Sequence, residues 1–339
     1  MKMKYWFITN TCLIASMKSF ILPAAQTIVC KAFRPVLCRQ NYYKSHFVGN
    51  VYASSTRAYC SDNEINNLFY EEVSAYLFRQ GKTWKRLSHL LEMAAEDEVT
   101  SNRSIADVGT DHGLLAMGLT LTGNYTKVIG VDVSDQALTY GAISLLERIK
   151  NQSATVDGEG LMEYSNFPIE FRLGDGLEAL EFGEADTICI AGMGVNTMLQ
   201  ILEQRSSKNS RGTNLEKIGS KRLVLQATNS RPRNLVLLYD RLQDMGWELK
   251  NEQIEKLSSR WYITSRFDAS KDSGQHNLVN PELPGSRLTS LDKNCSMRRS
   301  FDEYCLHHKR WIQQDAKASG QQIDSRDLRW LKFFFHESF

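Results

Sequence analysis

The first 61 of 339 residues contain no aspartate or glutamate. They carry eight basic residues, Lys2, Lys4, Lys18, Lys31, Arg34, Arg39, Lys44 and Arg57, among many Ser, Tyr, Ala and Phe. An acid-free, basic stretch of that kind is the composition of an organelle transit peptide rather than of a folded element. Arg57-Ala-Tyr-Cys60, with Arg shortly before an aromatic, has the pattern of a mitochondrial processing site. Residues 1–61 are therefore read as a mitochondrial leader, with a plastid leader or a retained basic arm as the alternatives. Long hydrophobic runs are also missing. No apolar run reaches the ~20 residues of a membrane span, and the greasiest early stretch, Tyr5 to Ser16, is short and broken by polar residues, so no membrane partner is expected. Paired cysteines are absent too. Four of the seven (Cys12, Cys30, Cys38 and Cys60) lie in the leader, and Cys189, Cys295 and Cys305 have no C-x-x-C spacing. That excludes a disulfide framework and a zinc signature, so no metal is expected and a reducing matrix or stroma fits. Finally, the excess of positive charge is only apparent. Setting the leader's eight aside leaves 33 of the 41 basic residues against all 39 acids, a net charge near −6. Whole-chain basicity gives no argument for nucleic acid, and any such contact must come from a local patch.

What remains is a regular alternation. Asp62 to Gln80 reads as helical, and so does Trp84 to Glu98, where Leu87, Leu90, Leu91 and Ala94 line one face. Strands are expected at Ile105 to Val108, Lys127 to Val133, Ile169 to Leu173, Asp186 to Ala191, Arg222 to Gln226, Glu248 to Leu257 and Trp261 to Phe267. Helices fall between them: Leu114 to Leu121, a Ser134-capped helix through Ile149, one marked by Val195, Met198, Leu199 and Leu202, and one from Leu235 to Met245 closed by Gly246. Such alternation predicts an α/β fold, a doubly wound, mostly parallel seven-stranded sheet whose last two strands form an antiparallel pair. The domain plan is a leader (1–61), an N-terminal helical segment (62–103), the α/β domain (104–268), a Gly-, Pro- and Ser-rich linker (269–288) and a helical tail (289–339). There is no internal repeat.

In an open parallel sheet, ligands bind beyond the carboxyl ends of the strands. Those ends here carry Asp107-Val-Gly109-Thr-Asp111-His112, Asp132-Val133, Gly174-Asp175-Gly176, Ala191-Gly192-Met193-Gly194 and Gln226-Ala-Thr-Asn229. The first is shaped like a nucleotide-binding turn, but Asp111 occupies the place of the second glycine of G-x-G. A carboxylate there repels a pyrophosphate and suits a ligand bearing positive charge. Neither G-x-x-x-x-G-K nor G-x-G-x-x-G is present to cradle phosphate. Asp132 is spaced to accept from both ribose hydroxyls, and Asp175 can accept from an adenine amino group. Gly109, Gly192 and Gly194 clear side chains from a close backbone approach, while Met193 suits a pocket wall. A lone G-D-G is usually an ordinary turn, and a lone acid after a strand is often a helix cap. All of these in order describe adenosine lying across the sheet beside a cation, which is S-adenosylmethionine. His112 is equally well a residue that packs at the helix start, and His307-His308 reads as a solvated helix face.

The ordered set A-D-V-G-T-D-H-G, V-D-V, R-L-G-D-G-L-E-A-L, I-A-G-M-G and L-V-L-Q-x-x-N resembles the bacterial tRNA (adenine-22-N1)-methyltransferases. Lys85-Arg86-Leu87 upstream and Arg260-Trp-Tyr262 downstream match that family's flanks. The similarity spans about Lys85 to Phe267, with an echo at Tyr304 to Trp311. The resemblance implies a class I methyltransferase core of Rossmann-like fold using S-adenosylmethionine, with a C-terminal helical extension that helps to grip tRNA. Asp107, Gly109, Asp132, Val133, Asp175, Gly176, Ala191, Gly192, Met193 and Gly194 would hold the cofactor. Asp111 and His112 would lie at the reacting centre, and Asn229, Arg260 and Tyr262 would face the RNA. There are departures. Val195 stands where the family has a further glycine, Gln226-Ala-Thr-Asn229 rearranges its L-Q-P-N, and Leu114-Leu115 replaces an aromatic.

The expected reaction places a methyl group on N1 of a tRNA adenine, a nitrogen on the pairing edge, so the base must be unpaired or turned out. Methylation leaves the ring cationic, and Asp111 is the carboxylate expected to stabilise that charge. Phosphate contacts are expected from Arg205, Lys208, Arg211, Lys217 and Lys221 and from the tail's Arg298, Arg299, Lys309 and Arg310, with Tyr262 or Trp261 stacking on a base. Two alternatives stand beside this: a methyltransferase for another RNA position or substrate, and a non-catalytic RNA-binding protein that keeps the fold, hinted at only by Val195. Nothing in the sequence reports oligomeric state.

Overall fold

Alternating apolar side chains decide the sheet. In β1 (Ser104–Val108), Ile105 faces one side while Ala106 and Val108 face the other. The same split places Val128 opposite Ile129 and Val131 in β2 (Lys127–Asp132), Cys189 opposite Ile188 and Ile190 in β4 (Thr187–Met193), and Val224 opposite Leu223 and Leu225 in β5 (Arg222–Ala227). Strands apolar on both faces are those of a parallel sheet covered by helices on each side. The computed structural model describes residues 64–95, 103–154, 168–204, 213–228, 230–270 and 282–336. β3 (Ile169–Leu173) forms one edge, and β6 (Trp247–Leu257) and β7 (Arg260–Ala269) complete the seven strands in the order β3-β2-β1-β4-β5-β7-β6. β1 to β5 pair in parallel, whereas β7 is antiparallel to β5 and β6. The expected mostly parallel, seven-stranded Rossmann-like sheet is what forms. The progression of strand order reverses between the parallel β1 and β4, which opens a crevice at their carboxyl ends.

One face of the sheet is covered by α1 (Glu64–Arg79), α2 (Lys82–Ala95), α3 (Leu114–Leu121), α4 (Asp135–Leu138) and α5 (Ser144–Ala154). Every residue of α3 is buried, as an element apolar on all sides must be. Leu115, Met117 and Leu119 each contribute about 1.5–3 kcal/mol of burial. Ser134 caps α4 by accepting from the Ala137 amide at 3.2 Å. The single helix expected from Ser134 to Ile149 is instead kinked within Thr139–Ile143, where Gly141 takes a non-helical φ of −96° and ψ of −106°. The cause is local. Gly141 backs onto His112, and a Cβ at Gly141 would lie 2.5 Å from the His112 Cα, so the helix steps aside where the β1 turn passes.

The opposite face holds α6 (Val195–Glu203), α7 (Asn214–Ile218) and α8 (Pro232–Asp244), with Pro at the first helical position of α8. The tail is helical as expected, α9 (Ser296–Ser319) and α10 (Ser325–Phe335), and it docks on this same face. Trp330 is fully buried and its indole N–H donates to the Pro284 carbonyl at 3.2 Å. Of the stretch read as a linker, residues 282–288 are built into the core. Leu283 and Leu288 are buried, and the amides of Gly285 and Arg287 donate to the buried Glu252 carboxylate at 2.7 and 3.0 Å. The Tyr239 hydroxyl donates to the same carboxylate. Three donors offset much of the cost of burying that acid.

Candidate active site

The turn after β1 is tied to β2. The amides of Gly109 and Thr110 both donate to the Val131 carbonyl, at 2.8 and 3.0 Å. Asp107 shares a strand face with Ile105, so its carboxylate points under α3 rather than into the crevice. It is 2% exposed and accepts from the Thr110 hydroxyl at 2.6 Å and the Ala116 amide at 3.1 Å. Burial pushes its pKa up to about 7. Asp107 thus acts on the site through the shape of the turn.

Asp111 stands at the crest of that turn with its side chain 73% exposed. Its φ is +53°, the left-handed region that favours glycine. The backbone geometry of a G-x-G turn is therefore kept while glycine itself is not. Its amide donates to Asp132 Oδ2 at 2.7 Å, and Asp132 Oδ1 accepts from the Ser134 amide at 2.9 Å. A carboxylate offers about four acceptor positions, so Asp132 is fixed by two backbone donors and keeps two positions open, the number a ribose diol requires. Beside it the Val133 side chain is 74% exposed, a bare apolar surface next to the acid. The His112 Nδ1–H donates to the Ala137 carbonyl at 3.3 Å, and the ring nitrogen lies 3.9 Å from Asp111 Oδ1. That bond fixes the tautomer and leaves Nε2 as the acceptor of the neutral ring.

The neighbouring strand ends complete the crevice. Asp175 is exposed ahead of Gly176, which is buried at φ +58°. β4 runs two residues beyond the expected Ala191, through a register shift between Ala191 and Met193. Gly192 supplies that irregularity at φ +79°. Met193 folds back over Gly109, where a Cβ would fall 1.8 Å from the Met193 Cε. Gly194 opens onto free space. Val195 is 4% exposed within the core, so it begins α6 and does not narrow the mouth. These residues fit a nucleoside with a positively charged arm: bare backbone at the end of β4, an acid with free acceptor positions at β2, and an apolar surface beside it. Asn229 lies outside the described residues.

On the other side of the crevice, Tyr262 is half-buried and Arg260 exposed at the start of β7, level with the carboxyl end of β5. Trp261 is already engaged by the tail, against His307 at 4.8 Å and Tyr304 at 6.1 Å between ring centroids. Of the pair His307-His308, His307 is exposed as expected, whereas His308 is half-buried. His308 packs on Tyr304, and burial lowers its pKa to about 4. The basic loop fares differently from expectation. Lys221 pairs with Asp186 at 2.9 Å, at the amino end of β5 and away from the crevice. Arg205, Lys208 and Arg211 lie outside the described residues. In the tail, Arg298 is paired with Asp302 at 2.9 Å and Lys309 covers the Phe335 ring, while Arg299 and Arg310 are exposed.

Two residues join the site without having been expected there. Arg86 of α2 lies over the Tyr262 ring, its guanidinium carbon 5.5 Å from the centroid. Tyr76 of α1 is close enough to Asp111 for that charge, after burial, to raise its phenol pKa. Among the described residues, no group of three or more His, Cys, Asp or Glu is placed to hold a metal ion, and no helix is long and apolar enough to cross a membrane.

A methyltransferase-domain family model matches residues 85–264. The tRNA (adenine(22)-N(1))-methyltransferase of Bacillus subtilis is 33% identical over 249 residues, which cover 73% of this chain and 92% of that protein. Two solved structures are similar. The B. subtilis m1A22 tRNA methyltransferase is 22% identical with a TM-score of 0.46 over 74% of this chain and 92% of its own. The M. capricolum TrmK, in complex with the cofactor product S-adenosylhomocysteine, is 19% identical with a TM-score of 0.44 over 73% and 91%. On the family match and the Bacillus relative, the chain belongs to the methyltransferase-domain family and, within it, to the tRNA (adenine-22-N1)-methyltransferases.

Proposed function

We propose that this protein methylates N1 of an adenine in tRNA, using S-adenosylmethionine. The observation that carries the reading is Asp111, an exposed carboxylate held in a left-handed backbone conformation at the crest of a glycine-bare crevice, hydrogen-bonded through its amide to Asp132. When bound, S-adenosylmethionine supplies a methyl group activated by the sulfonium charge. The protein's residues have three tasks. Asp132, braced by two amides, and Asp175 orient the nucleoside, with Val133 as its apolar wall. Gly192 and Gly194 let the reacting groups approach the backbone, while Gly109 makes room for the Met193 side chain; the contribution is alignment in the main. Asp111 faces the charge that develops on the base, and the His112 ring, oriented by the Ala137 carbonyl, stands beside it. In this reading Tyr262 and Arg260 would meet the turned-out nucleotide, and the exposed Arg299 and Arg310 would meet phosphates of the RNA.

The test is incubation with labelled methyl donor and a panel of organelle tRNAs, followed by nucleoside analysis. Labelled N1-methyladenosine is the expected product. A different methylated nucleoside, or donor binding without turnover on any RNA, overturns the reading. We infer also that residues 1–61 direct the protein to mitochondria, on the strength of their acid-free, basic composition. Fused to a fluorescent protein, that segment should carry it into mitochondria; delivery to plastids or retention in the cytosol refutes this.

A further inference from the structure

At the crevice, the charge of the half-buried Arg86 guanidinium is unanswered among the described residues. Its guanidinium nitrogens lie 3.6 Å from where a Cβ on Gly192 would stand, and its guanidinium carbon sits over the Tyr262 ring. Among the described residues it has no hydrogen-bond or ion-pair partner. The acid within reach of α2 is already committed: Glu255, opposite Tyr262 in the β6–β7 pairing, binds Lys85 at 2.8 Å and His89 at 2.7 Å. The Arg86 backbone is anchored as well. Its carbonyl accepts from Gln226 Nε2 at 3.3 Å, and that amide also donates to Thr264 Oγ1 at 2.7 Å. Burial lowers the pKa of the guanidinium, the direction expected of a cation partly stripped of water without a counter-charge. A half-buried guanidinium fixed at its base, stacked on an aromatic face and aimed at bare backbone is a site prepared for an anion, since Arg is suited to planar, paired recognition of carboxylate or phosphate oxygens.

We infer that Arg86, backed by Tyr262, is the seat for an anionic oxygen group entering the crevice beside Gly192. The inference rests on the proposed activity and extends it to the one charge that the acids at the strand ends cannot bind. Two sources carry such a group: the carboxylate of the donor's amino-acid arm and a phosphate next to the target base. Calorimetry with S-adenosylmethionine and with its decarboxylated analogue tests the first. If the carboxylate sits on Arg86, the full-length protein binds the complete donor at least tenfold more tightly than the analogue, and Arg86→Ala removes that preference. The salt dependence of tRNA binding tests the second. A phosphate on Arg86 means that Arg86→Ala lowers the slope of log affinity against log salt by about 0.7–0.9. Arg86→Lys keeps the charge and serves as the folding control; it should recover the salt slope while losing part of the donor preference, because an ammonium cannot engage two oxygens side by side. Movement in either readout supports the seat and names its occupant. If Arg86→Ala and Arg86→Lys change neither, the seat is refuted. Both readouts are binding measurements, so a protein that binds donor and tRNA but fails to methylate adenine refutes the activity and leaves this test standing.

Discussion

Replacing Asp111 should cost far more in activity than in stability. At φ +53° an ordinary L-residue costs roughly 1–2 kcal/mol, and Asp less because its short polar side chain tolerates this region. Glycine bears no such strain but gives up about 0.5–1 kcal/mol of unfolded-state entropy. Asp111→Gly should therefore be neutral or stabilising by up to about 1 kcal/mol, a rise of at most about 4 °C in a domain of this size. Asp111→Ala should lose about 1 kcal/mol, and Asp111→Asn, which tolerates the same backbone, should be near neutral. The amide that donates to Asp132 survives in all three. Activity should fall in all three, because each removes the carboxylate. Loss of one preorganised electrostatic group costs about 10²–10³-fold in rate, or about 2.7–4 kcal/mol. The low end applies here, since the side chain is largely exposed before RNA closes over it. The assays are thermal unfolding, calorimetry with the donor, and single-turnover methyl transfer to tRNA. For Asp111→Gly the expected pattern is an unchanged or raised melting temperature, donor affinity within threefold and a single-turnover rate down about 100-fold. Asp111→Gly with near-normal turnover would refute the role assigned to the carboxylate.

Asp107 has a folded-state pKa of about 7 against an ordinary 3.8, so folding is favoured by its protonation, and stability should decline as pH rises from about 4 to about 7, by at most about 4 kcal/mol; Asp107→Asn should flatten that part of the melting curve, and parallel curves for the two proteins would contradict it. Gly109→Ala places a Cβ 1.8 Å from the Met193 Cε at φ +76°, which should cost at least about 1–2 kcal/mol and weaken donor binding; Met193→Ala in the same chain should restore part of the loss, and strict additivity in a double-mutant cycle would show that the two do not meet. Glu252→Ala leaves the Gly285 and Arg287 amides without their acceptor, at about 3 kcal/mol; denaturant unfolding should show that loss, with hydrogen exchange rising first in α9 and α10, and uniform protection would count against a clamp.

Much of this architecture could be read from the chain because its causes are local. The parallel strands follow from short continuous apolar runs, the α4 start from Ser134, and the crevice from the glycines and acids that close consecutive strands. The features that escaped have causes distant in sequence. The kink exists because Gly141 meets His112, and neither residue signals the other. Arg86 is legible as part of a motif, but its role depends on Gly192 and Tyr262, each more than a hundred residues away. The segment around Gly285 looks like a linker by composition, yet Glu252, which holds it, lies 33 residues earlier. Lys221 failed as a site residue for a topological reason. Charge along a sequence does not tell which end of the sheet a loop occupies, and the chain enters β5 at the end opposite the crevice.

The acids at the strand ends divide the work by geometry rather than by type. Asp107 and Asp111 belong to one turn, four residues apart, yet one is sealed beneath α3 and the other stands in solvent. The alternation of β1 explains the first and the left-handed crest explains the second. Asp132 joins them, because the carboxylate that would take the ribose also accepts the Asp111 amide. Occupation of the nucleoside site and the placing of the Asp111 carboxylate are thus mechanically linked. A glycine at 111 could donate the same amide and hold the same turn with less strain. What it could not do is present a negative charge, so the strain at 111 is the mark of a residue kept for its side chain.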